Sequence, residues 1–202
     1  MRILGLDEAG RGCVLGPLVV GGFVWEGEDQ APLREAGADD SKVLSAQKRA
    51  EIQAKLQQLG QGHVRRIEAT EIDAGNLNEL EIRAFLELVR SLSPDRVFLD
   101  APVNPRGIPK LRERLVRESG VTDWVIEPKA DATYPVVGAA SIYAKLTRDA
   151  AIEALGEVGS GYPSDPVTRK LLSELLAKKE PLPPWVRSRW GTLEVLKQQR
   201  LF

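Results

Sequence analysis

Asp7-Glu8-Ala9-Gly10-Arg11-Gly12 sets two adjacent carboxylates at the end of an apolar run and follows them with an arginine between glycines. Hard oxygen donors suit a divalent cation, and a glycine loop with one cation can come close to a phosphate, so the hexapeptide combines the parts of a metal site and a phosphate site. Adjacent strand residues point to opposite faces. Asp7 and Glu8 are therefore expected to converge only where the backbone leaves regular strand geometry, which Gly10 and Gly12 make sterically cheap. A strand that merely ends in an acidic turn would look the same. Two further acids occupy comparable places: Asp100 closes the run Arg96-Val97-Phe98-Leu99, and Asp131 stands in the loop Lys129-Ala130-Asp131-Ala132. Four carboxylates at strand ends can meet over one sheet edge. Without His or Cys such a cluster suits Mg²⁺ or Mn²⁺ and not zinc, and two such ions about 3.5 to 4 Å apart can activate a water and steady the leaving oxygen of a phosphodiester.

The elements that must position these acids alternate in type. Ile3–Leu6, Val14–Trp25 and Val64–Ala69 read as strands, the first two joined through the glycine turn. Helical spacing follows Ser45, with Ile52, Leu56 and Leu59, and follows Asn78, with Leu80, Ile82, Phe85, Leu86 and Val89. Arg96–Asp100 reads as a buried strand, Ile108–Glu118 as a charged surface helix and Trp124–Glu127 as another strand. Pro135 is placed to begin a helix through Ala139–Leu146, and Asp165-Pro166 to cap and open one over Val167–Ala177. The expectation is an α/β domain, a mixed sheet covered by helices, over residues 1–180. Pro181-Leu182-Pro183-Pro184 marks the start of a C-terminal extension, 181–202, packed on or near that domain.

Bulk properties narrow the class. With 202 residues, 43% of them hydrophobic, the chain can bury a real core. Cys13 is the single cysteine, which excludes an intrachain disulfide, and no signal pattern precedes the first strand, so an intracellular, cytoplasmic protein is expected. No apolar stretch approaches the roughly 20 residues of a membrane span. The net charge of −1 confines any nucleic-acid contact to a local patch, and the balance is uneven, +3 from Lys145 onward against −4 before it. The single histidine, His63, reads as an exposed bystander in a loop entering a strand.

At this point the chain resembles type 2 ribonuclease H, ribonuclease HII. The matching segments are Asp7 to Gly12, Asp40-Ser41-Lys42-Val43-Leu44-Ser45, Asn76-Leu77-Asn78-Glu79, Asp100, Lys129-Ala130-Asp131-Ala132, Ala139-Ala140-Ser141-Ile142-Tyr143-Ala144-Lys145, Arg148-Asp149 and Gly159-Ser160-Gly161-Tyr162-Pro163. Each is weak alone; in this order, across the chain to about Trp190, they reinforce one another. The resemblance implies an RNase H-like five-stranded mixed sheet flanked by helices, a small helical C-terminal part and a monomer. It implies hydrolysis of RNA in RNA/DNA hybrids and cutting 5′ of single ribonucleotides embedded in duplex DNA, with water as nucleophile, leaving a 3′-hydroxyl and a 5′-phosphate. Asp7, Glu8, Asp100 and Asp131 would ligate two Mg²⁺ or Mn²⁺ ions, with Asp7 bridging them. Gly10-Arg11-Gly12 would read the ribose 2′-OH, the group that separates RNA from DNA. Tyr162 would pack against the sugar at the RNA-to-DNA junction, although Gly-Tyr-Pro is also an ordinary turn.

Lys42, Lys145 and Arg148 could meet phosphates. Ser141, Lys145 and Arg148 fall on one helical stripe, which outside this family would read as a solvated face. Cys13 stands where many members have proline and Ala101 where many have glycine. Type 3 relatives carry an extra N-terminal domain, and the first acid at position 7 favours type 2. The terminal Gln198-Gln199-Arg200-Leu201-Phe202 resembles the short peptide by which bacterial replication proteins engage the sliding clamp, with Gln198, Leu201 and Phe202 as its contacts; a frayed helix end is the alternative. Two rival functions are a catalytically silent adapter for RNA/DNA hybrids, which would gain nothing from crowded carboxylates, and a junction resolvase, which would not need the Gly-Arg-Gly loop or Tyr162.

Overall fold

Alternation along the first strand decides how the layers stack. In the computed structural model, which describes residues 1–38 and 44–199, with side chains to residue 196, the elements begin with β1 (Arg2–Ala9), β2 (Leu18–Glu26), α1 (Ala31–Ala36), α2 (Ala46–Leu56), β3 (Gln61–Ile67) and α3 (Ala69–Ala74). They continue with α4 (Leu77–Leu92), β4 (Arg96–Asp100), α5 (Ile108–Ser119), β5 (Asp123–Glu127), α6 (Ala130–Thr133), α7 (Pro135–Glu153), α8 (Pro166–Ala177) and α9 (Gly191–Gln199). Leu4 and Leu6 of β1 enter one apolar cluster with Phe85, Leu88 and Val89 of α4 and Leu111 and Leu115 of α5. Ile3 points the other way and packs with Phe23, α1, α2 and the apolar side of α7. This is the period-2 pattern of a strand buried on both faces.

The five strands lie in the order β3-β2-β1-β4-β5. β1, β2 and β3 pair antiparallel, while β4 and β5 run parallel to β1, so the mixed sheet is as expected. Helix α7 lies directly on β1 and β2: a Cβ at Gly5 would strike the backbone of Val136, and one at Gly21 the carbonyl of Ala140. These two glycines set the depth of α7 and with it the height of Ser141 over the sheet.

Local signals acted as their chemistry dictates. Ser45 accepts from Lys48 N, and Asp165 accepts from Val167 N at 2.8 Å, each capping its helix, while Pro135 and Pro166 open α7 and α8. Four expectations change. The strand expected over Val64–Ala69 runs Gln61–Ile67, and Ala69 instead opens α3 behind the capping pair Glu68 and Glu71. The strand expected from Val14 begins at Leu18; Val14 and Leu15 are fully buried in a separate cluster with Ile152, Leu172, Val186, Leu193 and Leu196. The helix expected from Asn78 begins at Leu77, because Asn76 accepts from Glu79 N and is the true cap. His63 is half-buried within β3 and not exposed in a loop, and burial pulls its pKa down. The Val14 cluster draws α8, α9 and the segment between them onto the loop after β1, including a bridge from Leu15 to Val186. No helix among the described residues is long and apolar enough to cross a membrane.

Candidate active site

β1 keeps regular pairing through its last residues, Asp7 opposite Gly21, Glu8 opposite Val20 and Ala9 opposite Val19. The expected departure from strand geometry at the acids is therefore absent, and it comes one step later, at Gly10 with φ 86°. Asp7 consequently shares the α7 face with Ile3, and Glu8 shares the α4 face with Leu4 and Leu6. Because β4 runs parallel to β1, Asp100 finishes at the same edge as Asp7. After β5 the chain turns through Lys129, whose φ of 60° carries a strain of about 1–2 kcal/mol for a residue with a side chain, and enters α6. Asp100 Oδ1 accepts from Ala130 N at 3.0 Å, which ties that turn to the end of β4 and brings Asp131 in.

One carboxylate oxygen each of Asp7, Asp100 and Asp131 lies within 4.8 Å of the others. Asp7 and Asp131 are 5% and 1% exposed. Glu8, the fourth predicted acid, does not join that triangle but flanks it from the other face of β1. Burial raises the pKa of Asp7 to about 7; a hydrogen bond from Ser141 opposes this and the charge on Asp100 adds to it. Glu8 is pushed well up by burial, then by Asp7, Glu81 and Asp100, and its Oε2 is buried with no hydrogen-bond partner among the described residues. The donors are all carboxylate oxygens, the pKa values of Asp7 and Glu8 are raised further by the neighbouring acids, and the buried Glu8 Oε2 has unused acceptor capacity. A hard divalent cation of the Mg²⁺ or Mn²⁺ kind fits this set.

The Gly10–Gly12 loop is held on two sides. Arg11 donates through Nε to both Oε atoms of Glu81 at 3.1 Å and through Nη2 to Asn78 Oδ1 at 2.6 Å, which pins it to α4. A Cβ on Gly12 would meet the Tyr162 ring at 3.9 Å, so loop and tyrosine are neighbours. Tyr162 is 39% exposed and carries the Arg148 guanidinium 4.9 Å from its ring centre.

The helical stripe divides by burial. Ser141 is fully buried beside Asp7, Lys145 is half-buried, and Arg148 is 7% exposed. Arg148, expected at a phosphate, has a guanidinium that donates to Cys13 Sγ at 2.9 Å, to the Ser160 carbonyl and to Asp149, and lies over the Tyr162 ring. Lys42, Leu201 and Phe202 lie outside the described residues; Gln198 belongs to α9, its side chain outside them.

Two residues escaped the sequence reading. Glu81, 1% exposed, takes a core-facing place in α4 between Leu77 and Leu88 at helical spacing, and a lone acid in an apolar stripe was a usable signal. Arg187, fully buried, reaches the carbonyls of Gly10, Arg11 and Gly16 from 171 to 177 residues away, and no local pattern marks it. A groove beside the loop is lined by Arg11, Asn78, Glu81, Lys110 and Arg114.

Comparison with known proteins converges on one family. A sequence model of the family described as Ribonuclease HII matches residues 4–193. The Ribonuclease HII of Archaeoglobus fulgidus is 39% identical, covering 98% of this chain and 97% of that one, and that of Methanocella arvoryzae is 42% identical over 99% and 95%. Among solved structures, the ribonuclease H2 from Pyrococcus horikoshii superposes with a TM-score of 0.88 at 38% identity, covering 98% of each chain. The RNase HII of Archaeoglobus fulgidus, solved as a complex with PCNA, gives 0.85 at 38% identity over 94% and 95%.

Proposed function

The chain belongs to the ribonuclease HII family, a family of nucleases, and on that premise we propose that it hydrolyses the RNA strand of RNA/DNA hybrids and cuts 5′ of single ribonucleotides in duplex DNA, leaving a 3′-hydroxyl and a 5′-phosphate. The observation that carries the reading is the triangle of Asp7, Asp100 and Asp131 at one sheet edge, with Glu8 beside it.

In this proposal Asp7, Glu8, Asp100 and Asp131 hold two Mg²⁺ or Mn²⁺ ions. When bound, the ions lower the acidity barrier of an attacking water and offset the charge that grows on the leaving 3′ oxygen. Ser141 fixes the Asp7 carboxylate through its hydrogen bond. The loop Gly10-Arg11-Gly12 lies against the ribose because positions 10 and 12 lack side chains, and Arg11 is kept off the sugar by Glu81 and Asn78. Tyr162 packs on the sugar at the junction with Arg148 behind it, and Lys42 and Lys145 meet phosphates. A silent adapter is the weaker reading, since a crowd of carboxylates beside a phosphate backbone would cost a pure binder affinity.

Residues 1–180 would carry the catalysis and 181–202 form the extension. A sliding-clamp contact through Gln198, Leu201 and Phe202 is part of the proposal, supported by the clamp complex of the Archaeoglobus fulgidus relative. A cytoplasmic monomer is the expected form. The deciding experiment is cleavage of an end-labelled DNA duplex with one ribonucleotide, in Mg²⁺, in Mn²⁺ and in chelator. A metal-dependent cut immediately 5′ to the ribonucleotide is expected. Cleavage of longer RNA stretches alone would remove the single-ribonucleotide claim, and binding without any cleavage would favour the adapter.

A further inference from the structure

Arg187 is 0% exposed, an unusual place for a guanidinium, and among the described residues no carboxylate forms a salt bridge with it. Its compensation is made of carbonyl dipoles. Nη2 donates to Gly10 O at 2.7 Å, Nη1 to Arg11 O at 3.1 Å and Nε to Gly16 O at 3.1 Å, while its plane lies 5.0 Å over the Trp190 ring. Burial pulls its pKa down only to about 10, so it stays cationic at neutral pH. A buried charge is a poor way to add stability, because an apolar side chain of similar size does as well or better. What an apolar side chain cannot do is span three carbonyls at fixed angles.

The three carbonyls belong to the two ends of the turn that follows the catalytic strand. The peptide unit is planar and trans, so turning the carbonyls of Gly10 and Arg11 toward Arg187 turns the N–H groups of Arg11 and Gly12 the opposite way. The backbone of the Arg187 segment is docked independently of its side chain: Arg187 N donates to Val14 O at 2.9 Å, Gly16 N to Trp185 O at 2.8 Å, and Asp73 receives Ser188 N at 2.7 Å and Arg189 N at 3.3 Å. The segment therefore presents the guanidinium fork to the loop as a fixed jig.

We propose that Arg187 is the positioning residue of the Gly10–Gly16 turn, holding the loop in the one shape that fits a ribose, so that preference for ribonucleotide over deoxyribonucleotide depends on a side chain of the C-terminal segment. This rests on the ribose-reading role proposed for Gly10-Arg11-Gly12. It assigns the C-terminal segment a part in selectivity.

The test uses the full chain with Mg²⁺ and two duplexes of one sequence, one with a single ribonucleotide as substrate and one all-DNA as competitive inhibitor. In Arg187→Lys the charge and the docked backbone remain, but one nitrogen cannot reproduce the planar fork that reaches the three carbonyls from Nε, Nη1 and Nη2. The ratio of the inhibition constant to KM should fall about tenfold and kcat about tenfold, with the melting temperature lower by several degrees because buried carbonyls lose their donors. A variant that keeps the wild-type ratio and kcat overturns the inference. A wild-type protein that cleaves but does not discriminate between the duplexes defeats the ribose-reading role first, and the inference with it. Should Arg187→Lys not fold, Asp73→Ala decides: loosening residues 188 and 189 should lower the ratio about threefold, and an unchanged ratio there is equally fatal.

Discussion

Arg11 meets Glu81 with its Nε 3.1 Å from both carboxylate oxygens, and the same cation faces Glu8 across the α4 side of β1. Glu81 thus does two things: it pins Arg11 to α4, and its charge raises the pKa of Glu8. Glu81→Ala should release Arg11 and lower kcat about tenfold with KM changed less than about threefold, whereas Glu81→Gln, which still accepts from Arg11, should keep most of the rate. Steady-state kinetics on a single-ribonucleotide duplex compare the two. Equal losses in both would mean that the charge matters and the hold on Arg11 does not.

Asp100 stands at the end of a central strand, and its Oδ1 already orders the turn that brings Asp131 in. Asp100→Asn retains the shape and an amide oxygen to accept from Ala130 N but loses the carboxylate charge. Cleavage should fall at least about a thousandfold while hybrid binding, carried by loop and basic residues, stays within about threefold. Normal turnover in this variant would exclude Asp100 from the metal set.

Metal-free stability should fall as pH rises. The folded pKa of Asp7, about 7, lies above its ordinary 3.8, so the folded state binds the extra proton. The stability contributed by the protonated form is complete below about pH 4 and is lost as pH climbs through about 7, an effect on the order of 4 kcal/mol. Glu8 and Glu81, also raised by burial, act in the same direction. His63, held low by burial, acts oppositely but is one half-buried group. A divalent cation replaces the proton, so added Mg²⁺ should raise the melting temperature most at pH 8 and least at pH 5. Thermal melts at pH 5, 6, 7 and 8, in chelator and in Mg²⁺, measure this. A chelated protein whose melting temperature is flat or rising over that range contradicts it.

How far the sequence could be read follows from where the determining contacts lie. Ser45, Asp165 and Pro135 act within one turn of their own positions, so their helices were legible. Val14 and Leu15 look like strand residues because they are apolar, yet their partners, Val186 and Leu193, lie more than 170 residues downstream. The acids Asp7, Asp100 and Asp131 are each legible as strand-end or loop carboxylates. That Glu8 points to the opposite face follows from β1 remaining regular through Ala9, which pairing with Val19 on β2 enforces and no local residue announces. Arg148 looked like a solvent-facing phosphate contact on its helix and is buried because the Ser160–Tyr162 turn folds over it.

Arg148 illustrates how a stability test separates support from direct contact. It is buried, hydrogen-bonded to Cys13 Sγ and to Asp149, and stacked on Tyr162. Arg148→Met leaves those acceptors unmatched, at a cost of about 2 kcal/mol, which corresponds to a melting temperature lower by about 6 °C in a chain of this length. Because Tyr162 loses its backing, KM for the single-ribonucleotide duplex should also rise, and Tyr162→Ala should raise it without the thermal cost. A variant with normal stability and a weaker salt dependence of binding would return Arg148 to the role of a phosphate contact.

The C-terminal peptide offers a contact separable from catalysis. Helix α9 anchors its Leu193 and Leu196 in the cluster formed with Val14 and Leu15. Gln198, Leu201 and Phe202 are the residues proposed above for the sliding-clamp contact. Deleting both should abolish binding to a sliding clamp while leaving kcat and KM on a short free duplex unchanged, since no described catalytic group lies beyond Tyr162. Gln198→Ala should weaken clamp binding about tenfold through the lost polar contact. Clamp affinity that survives the deletion would assign the tail to the fold of α9, and a fall in kcat on the free duplex would show that the terminus supports the same loop that Arg187 holds.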